Sequence, residues 1–336
     1  MPDALTFTVL RLLSDSQFRS AAALAAELGV PRGAVANAIQ HLDALGVDLV
    51  RAPGQGYRLA APSEWLDAAA VRSHLGVHAA LFDVQVVDIA TSTNTLLLES
   101  AAAGAPSGSV LTTELQTAGR GRRGRSWHTG LFGALTFSLL WRFEQGAGVL
   151  AGLGPAVGVA LVRALRNLGV ADATLKWPND VLVRYQKVAG TLVEIQGDVL
   201  APSLAVIGVG VNHRLDPATR QRIDQAVIDL RIAGVRVGRN HVMGEMLREL
   251  AMMLQAFSAD GFGPLRKEWE SMHVYSGKTV ALRLPDGSIE QGVAAGVSDD
   301  GALLLQTSTG LRRFHSGEVS LRAIGARSAP RSASGA

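Results

Sequence analysis

Residues 181–211 read VLVRYQKVAGTLVEIQGDVLAPSLAVIGVGV. Three runs rich in Val, Ile and Leu within this stretch predict strands over 181–183, 188–196 and 204–211. The connections between the runs are too short for a helical crossover, so neighbouring strands are expected to pair antiparallel. The stretch therefore predicts a mixed or antiparallel sheet with helices on one face, in an α+β layout.

The sequence on both sides continues this domain, which is expected to span residues 64–270. Apolar residues at helical or alternating spacing predict its other elements. The expected helices cover 64–75, 93–103 and 150–168, with two or three more ending near Trp269, and the expected strands cover 83–87, 109–115 and 134–142.

Residues 1–63 are expected to form a winged helix-turn-helix. Apolar residues at helical spacing predict three helices, with Ser20 as an N-cap and Pro31 in the first turn of the third. A turn at 53–56 between two alternating segments predicts the wing. Five basic and five acidic side chains leave this domain without net charge, so it lacks a basic surface by composition.

Residues 271–324 are expected to form a small β-barrel. Turn sequences at 285–287, 299–301 and 309–310 separate short apolar runs, a spacing that fits about five strands. Residues 325–336 are expected to be a disordered tail.

Composition excludes several classes of protein. A hydrophobic fraction of 48% with 18% charged residues is typical of a globular chain, and a net charge of +3 does not indicate wholesale nucleic-acid binding. The chain has no cysteine, which excludes disulfides and thiol nucleophiles and fits a cytoplasmic protein. The longest apolar run, 149–162, is too short and glycine-rich to span a bilayer, and no signal peptide is evident.

The densest charged segment is GRGRRGR at 119–125, with four arginines and three glycines. Its guanidinium groups suit phosphates and carboxylates, and its glycines let the backbone approach a ligand closely. A solvated loop or an RNA-binding tract is the alternative. No G-x-x-x-x-G-K-[ST] motif occurs in the chain, so any nucleotide is held by other means.

Three further segments carry polar residues at places where chemistry is possible: STN at 92–94, KWPND at 176–180 and IGVGVN at 207–212. Each also has a structural interpretation. These are a helix N-cap, a packed tryptophan followed by an Asx turn, and a strand that another backbone approaches.

The order of these segments resembles the biotin protein ligase family. The series runs from STN through Gln116-x-x-GRGRRGR-x-Trp127 and KWPND to Lys187-x-x-Gly190 and the final GVGVN. Together with the winged helix and the barrel, residues 5–322 resemble the bifunctional form that is also a biotin operon repressor. The resemblance implies a central domain like that of class II aminoacyl-tRNA synthetases and an SH3-like C-terminal domain.

The resemblance also implies two reactions. Biotin and ATP give biotinyl-AMP and pyrophosphate, with Mg²⁺ on the phosphates, and the biotin then passes to a lysine of biotin carboxyl carrier protein. Arg120, Arg122 and Lys187 would stabilise the anionic transition state, and Asp180 would orient or deprotonate the lysine amine. Biotin would meet Ser92, Thr93, Asn94, Gln116, Arg120, Gly121, Arg122, Lys187 and Gly190. ATP would meet Arg122, Trp127, Lys176, Asn179, Lys187 and Asn212. No metal ligand is assigned.

For the repressor function, the presumed recognition helix offers Arg32, Asn37 and Gln40 to operator DNA. A homodimer is expected when biotinyl-AMP is bound, because such repressors read two-fold half-sites. The domain could instead serve packing or dimerisation, since it carries no net charge.

Two other functions stay open on the sequence: a lipoate-type protein ligase, and a ligand-sensing transcription factor without ligase activity. A nicotinamide dehydrogenase is disfavoured, because no G-x-G-x-x-G opens a helix after the first strand of the central domain.

Overall fold

The computed structural model describes residues 3–61, 63–128, 130–200, 202–284, 287–315 and 320–323. The predicted tail over 325–336 lies outside these residues, as do part of the turn at 285–287 and Pro62 at the predicted domain boundary.

The N-terminal domain has the predicted order of three helices and a hairpin. Its elements are α1 (Ala4–Leu13), α2 (Ala21–Leu28), α3 (Arg32–Ala44), β1 (Leu49–Ala52) and β2 (Gly56–Leu59). The Ser20 hydroxyl caps α2 by accepting from the backbone N–H of Ala23, whereas Pro31 is the N-cap residue of α3 and not part of its first turn. The buried faces of the three helices share one apolar core, to which Leu131 and Phe132 of the central domain add their side chains.

The central domain is built on a seven-stranded mixed sheet. Its helices are α4 (Ala68–Ser73), α5 (Thr93–Ala102), α6 (Leu153–Asn167), α7 (Pro217–Gln221), α8 (Leu230–Ala233), α9 (Arg239–Asp260) and α10 (Arg266–Met272). Its strands are β3 (Asp83–Ala90), β4 (Ser109–Gln116), β5 (Ala134–Phe143), β6 (Ala173–Lys176), β7 (Asp180–Val183), β8 (Gln186–Gly197) and β9 (Ser203–Asn212). The strand order is β3-β4-β5-β9-β8-β7-β6, in which β3 and β4 are parallel and the other neighbours antiparallel.

The expectation that the helices lie on one face of the sheet is wrong. Val110, Leu139 and Ile207 join the core shared with α6 and α9, whereas Leu111, Leu140 and Val206 pack with Leu97 and Ala101 of α5. Because successive side chains of a strand point to opposite faces, these two sets define two covered faces. Helix α5 covers only part of its face, and the uncovered part becomes the floor of a cleft.

The helix predicted over 64–75 is shorter in the structure, where α4 begins at Ala68. Residues 64–66 instead bind the buried side chains of two distant elements. The backbone N–H of Leu66 donates to Glu114 of β4 at 2.6 Å, and the amide of Asn240 donates to the carbonyl of Trp65 at 2.8 Å. Glu114 in turn pairs with Arg239 at 2.7 Å, with both side chains buried. These contacts compete with helical hydrogen bonds over 64–66 and fix this segment to the central domain.

The C-terminal part is an antiparallel sheet of β10 (Thr279–Arg283), β11 (Ile289–Val297), β12 (Leu303–Thr307), β13 (Gly310–Phe314) and β14 (Ser320–Ala323). The order is β13-β12-β11-β10-β14, as expected for about five short strands. Apolar side chains of this sheet continue the core of the central domain. Within the described residues, no helix has the length and apolar character needed to cross a membrane.

Candidate active site

A cleft of about 450 Å³ opens on the α5 face of the central sheet, over β8 and β9. All of the predicted catalytic, biotin-binding and ATP-binding residues line it. They come from five segments that are far apart in the sequence: 92–94, 116–127, 176–180, 187–190 and Asn212.

Glycines on the floor let two side chains lie directly on the sheet. A Cβ atom at Gly208 would stand 2.1 Å from Oδ1 of Asn94, and one at Gly210 would stand 2.4 Å from the Trp127 ring. Both distances are far below van der Waals contact, so only glycine permits this packing. The two glycines of GVGVN therefore set the depth of the cleft at each end.

The closed end of the cleft is a buried polar cluster. Ser92 is the N-cap residue of α5, but its side chain makes no capping hydrogen bond. The side chain of Gln116 performs that function, since its Oε1 accepts from the backbone N–H of Thr93 at 2.8 Å. The hydroxyl of Ser138 lies 2.8 Å from that of Thr93 and 2.5 Å from Oδ1 of Asn94. Residues 92–94 therefore do begin a helix, as the helix-capping interpretation says, but that interpretation does not account for the contacts of their side chains.

The arginine-rich loop closes on itself like a short hairpin. The backbone N–H of Trp127 donates to the carbonyl of Gly119 at 2.8 Å, and that of Gly121 donates to Arg125 at 2.7 Å. Arg122 extends into the cleft, where burial lowers the pKa of its guanidinium while the nearby Asp180 carboxylate opposes the shift. Arg120 instead forms an ion pair with Glu194 of β8 at 2.8 Å.

The KWPND segment forms the turn between β6 and β7. Trp177 is buried, and its indole N–H donates to the carbonyl of Gly301 in the C-terminal domain at 3.1 Å. Asn179 donates from Nδ2 to the carbonyl of Thr191 at 2.8 Å. The structural interpretation therefore holds for Trp177, whereas the polar residues that follow reach across to β8.

Lys187 lines the cleft from the start of β8. Its Nζ is 2.7 Å from Oδ1 of Asp180 and 5.5 Å from the centroid of the Trp127 ring. Nδ2 of Asn212 donates to the backbone carbonyl of Lys187 at 3.1 Å, so Asn212 holds the backbone of Lys187 in place. Only about one seventh of the Lys187 and Asp180 side chains is exposed, so solvent screens this ion pair weakly.

The sequence did not single out several residues that belong to this site. Thr136 lines the cleft, and Ser138 and Glu194 lie beside it on the same face of the sheet, because all three alternate with core residues on β5 and β8, a register that pairing alone reveals. Residues 222–227 form one wall, and the backbone of Lys187 pairs with Ala226 there. This wall has no regular structure and no recognisable motif.

The predicted DNA-binding residues lie elsewhere, on α3. Arg32, Asn37 and Gln40 are all exposed. Most other arginines of the domain are paired with carboxylates, as Arg51 is with Asp43 of α3. Arg19 pairs with Asp15 and Glu27, and Arg11 with Asp88 of the central domain.

Three family models match the chain. They are the HTH domain over residues 6–58, the biotin/lipoate A/B protein ligase family over 86–212, and the biotin protein ligase C-terminal domain over 275–322. Fold and site thus define a protein ligase of the biotin/lipoate class that carries a helix-turn-helix domain.

Relatives and solved structures narrow this class. The bifunctional ligase/repressor BirA of Salmonella typhimurium is 35% identical over 315 residues, which are 94% of this chain and 97% of that protein. The biotin–[acetyl-CoA-carboxylase] ligase of Mycobacterium tuberculosis is 34% identical over 71% of this chain and 90% of its own length. The biotin protein ligase from Aquifex aeolicus in complex with biotin and ATP is 30% identical, with a TM-score of 0.62, over 72% of this chain and 99% of that one.

The chain belongs to the biotin protein ligase family, in which it matches the bifunctional ligase/repressors over almost its whole length. The resemblance drawn from the order of the motifs is confirmed.

Proposed function

We propose that this protein activates biotin with ATP to form biotinyl-AMP, transfers the biotin to a lysine of biotin carboxyl carrier protein, and represses transcription through its N-terminal domain. One observation carries the ligase proposal: a single cleft joins a buried hydroxyl and amide cluster to a pair of cations, Lys187 and Arg122. The polar cluster can bind a neutral polar ring, and the two cations can bind a carboxylate and a phosphate.

In the first reaction, a carboxylate oxygen of biotin bonds to the α-phosphorus of ATP while the bond to pyrophosphate breaks. Two anions must meet, so fixed positive charge lowers the barrier. Lys187 is placed between Asp180 and the Trp127 ring, where its Nζ can contact both the carboxylate and the α-phosphate. Arg122 supplies a second cation from the loop, and Lys176 a third from the end of β6.

The two ends of the cleft suit the two substrates. Ser92, Thr93, Asn94 and Gln116 offer donors and acceptors for the ureido ring of biotin, and Gly121 and Gly190 allow its chain to approach the backbone. The indole ring of Trp127, with Asn179 and Asn212 nearby, offers a flat surface and amides for adenine.

Mg²⁺ would enter with ATP. Within the described part of the chain, no three His, Asp or Glu side chains cluster as a metal site. Asp180 and Asp224 are the acidic groups in the cleft wall, which fits an ion held mostly by phosphate oxygens and water.

In the second reaction, the acceptor amine attacks the carbonyl carbon of biotinyl-AMP and AMP leaves with the bonding electrons. The amine must first lose a proton. Asp180 lies at the cleft wall, where its carboxylate can orient the incoming lysine and accept this proton.

Further details of the assembly belong to the same proposal. The domains are taken as 1–63, 64–270 and 271–324, with the central one like class II aminoacyl-tRNA synthetases and the last SH3-like. The hydrogen bond from Trp177 to Gly301 supports a role of the last domain in holding the KWPND turn. Binding of biotinyl-AMP is expected to favour a homodimer on operator DNA.

The ligase proposal is tested by incubating the protein with ATP and Mg²⁺, once with labelled biotin and a biotin carboxyl carrier domain and once with labelled lipoate and a lipoate-accepting domain. Label from biotin alone is expected on the carrier lysine. Label from lipoate alone would assign the lipoate-type ligase, and no label from either would leave a sensor without ligase activity.

The replacement Gly208→Ala is expected to weaken biotin binding about tenfold. The added methyl group must displace the Asn94 side chain, which disturbs hydrogen bonds worth about 1 kcal/mol each. Calorimetric titration with biotin measures the effect. The control is Gly154→Ala in α6, where a Cβ meets nothing within 4 Å and affinity should not change. Equal affinity of the Gly208→Ala protein and the wild type would place biotin elsewhere.

For the repressor function, Arg32→Ala is expected to weaken operator binding about tenfold. Arg32 is an exposed cation at the start of α3, whereas Arg11, Arg19 and Arg51 are held by carboxylates. The salt dependence of binding should therefore be shallow. A mobility-shift assay at low salt with biotin and ATP, on DNA upstream of biotin-synthesis genes, measures both. Arg72→Ala on the central domain is the control, and the absence of any shift at micromolar protein would reject DNA binding.

A further inference from the structure

Glu194 of β8 links two parts of the cleft that the proposed mechanism treats separately. Its carboxylate accepts from Nη2 of Arg120 at 2.8 and 3.1 Å, and its Oε2 also accepts from Nδ2 of Asn94 at 2.8 Å. Arg120 belongs to the arginine-rich loop, and Asn94 belongs to the polar cluster at the closed end. A single carboxylate thus joins the loop to the cluster.

The electrostatics of the site make this carboxylate unexpected. A cleft that binds a carboxylate and a triphosphate needs positive charge, and a negative side chain works against that need. Paired with Glu194, Arg120 contributes little net positive charge to the cleft. The ion pair therefore acts mainly by holding the groups that it joins in position. It adds little to the attraction of the anionic substrates.

The pair anchors one arm of the loop. Arg120 directly follows Gly119, whose carbonyl holds Trp127, and it pairs with Ser126 across the loop. Fixing Arg120 to β8 therefore fixes the hairpin-like base from which Arg122 and Trp127 reach over the cleft.

The same carboxylate is one of two acceptors that set the orientation of the Asn94 amide. An ionised carboxylate can only accept hydrogen bonds, so the NH₂ end of the amide must face Glu194. Nδ2 then donates to Glu194 and to the carbonyl of Leu192 at 3.1 Å, and Oδ1 faces the hydroxyl of Ser138. Glu194 and the backbone carbonyl of Leu192, which can both only accept, thus together fix which atom of Asn94 is presented on the side of Gly208.

We propose that Glu194 is a positioning residue that couples the loop to the biotin end of the cleft and so retains biotinyl-AMP. This inference rests on the proposed ligase function. Because the side chains of Arg120 and Glu194 are partly exposed, their pair holds the loop in place without making it rigid. The loop can then open for the acceptor lysine.

The test is the rate at which bound biotinyl-AMP leaves the full-length protein, measured by trapping the released compound. Glu194→Gln removes the charge but keeps an acceptor oxygen for Asn94, and we expect release about tenfold faster. Glu194→Ala removes the contacts with both Arg120 and Asn94 and should therefore also weaken biotin binding. Glu194→Gln should weaken biotin binding much less. If the two residues act as a pair, Arg120→Ala combined with Glu194→Gln releases no faster than Arg120→Ala alone.

The matched control is Glu290→Gln, which breaks the exposed Arg312–Glu290 pair of the C-terminal sheet and should leave release unchanged. The inference would be overturned if the Glu194→Gln protein released biotinyl-AMP at the wild-type rate. It would also be overturned if the effects of Glu194→Gln and Arg120→Ala on that rate were strictly additive. Failure of the wild type to form biotinyl-AMP would instead overturn the ligase proposal.

Discussion

Replacing Lys187 by alanine is expected to lower the rate of biotinyl-AMP formation by a factor of about 1,000 or more. The change removes the cation proposed to contact both reacting anions, and a preorganised charge of this kind contributes a factor of about 10² to 10³. It also leaves the half-buried Asp180 carboxylate, now without its partner at 2.7 Å, to repel both substrates. Pyrophosphate release, measured with biotin and ATP in the absence of an acceptor, reports this rate.

The fold should survive this change, because Lys187 borders an open cleft and its backbone is held by Asn212 and Ala226. A thermal unfolding midpoint close to that of the wild type will show this. The matched control is Lys278→Ala, which removes the positive charge of an exposed lysine in the C-terminal domain. The Lys278→Ala protein should release pyrophosphate at the wild-type rate. Normal release by the Lys187→Ala protein would refute the assigned role.

Replacing Arg122 by glycine is expected to let biotinyl-AMP escape before transfer. The half-buried guanidinium faces Asp180 from the loop, and its loss both frees the loop and removes a charge that holds the phosphate. Escaped biotinyl-AMP acylates lysines without selection, so a bystander protein in the reaction should become biotinylated at least about tenfold more than with the wild type. Avidin blotting of that protein measures the gain.

Arg123→Gly is the matched control, because Arg123 is an exposed neighbour in the same loop. The change also replaces a residue with a φ of 58° by glycine, so it relaxes the loop backbone while removing an exposed guanidinium of the cleft and keeping the half-buried one near Asp180. If Arg122→Gly retains biotinyl-AMP as the wild type does, the loop does not close the site.

The sequence predicted most of the segments that meet in the candidate site, because these motifs lie at ends and turns of strands. STN starts a helix after β3, KWPND turns between β6 and β7, and GVGVN ends β9. In an α+β fold such positions converge at one end of the sheet, so polar residues there meet even when they are far apart in sequence. The order of the motifs then identified the family.

What the sequence could not provide depends on pairing across long distances. Glu194 is an ordinary polar residue on an alternating strand, and only the pairing of Leu192 with Gly208 shows which face it occupies. Likewise, the apolar pattern of α5 predicts a buried helix face but does not say which side of the sheet the helix covers. The segment at 64–66 does not form a helix for the same reason. Arg239 and Asn240, whose side chains donate to the carbonyls of Glu64 and Trp65, each come 175 residues after their partner.

The most direct test of the account is to mix the protein with biotin and ATP labelled at the α-phosphate, without acceptor, and to isolate the protein by rapid gel filtration. The account predicts one equivalent of labelled biotinyl-AMP bound per chain, discharged as AMP when carrier protein is added. Labelled nucleotide that never becomes biotinyl-AMP, with ATP unchanged, would contradict it.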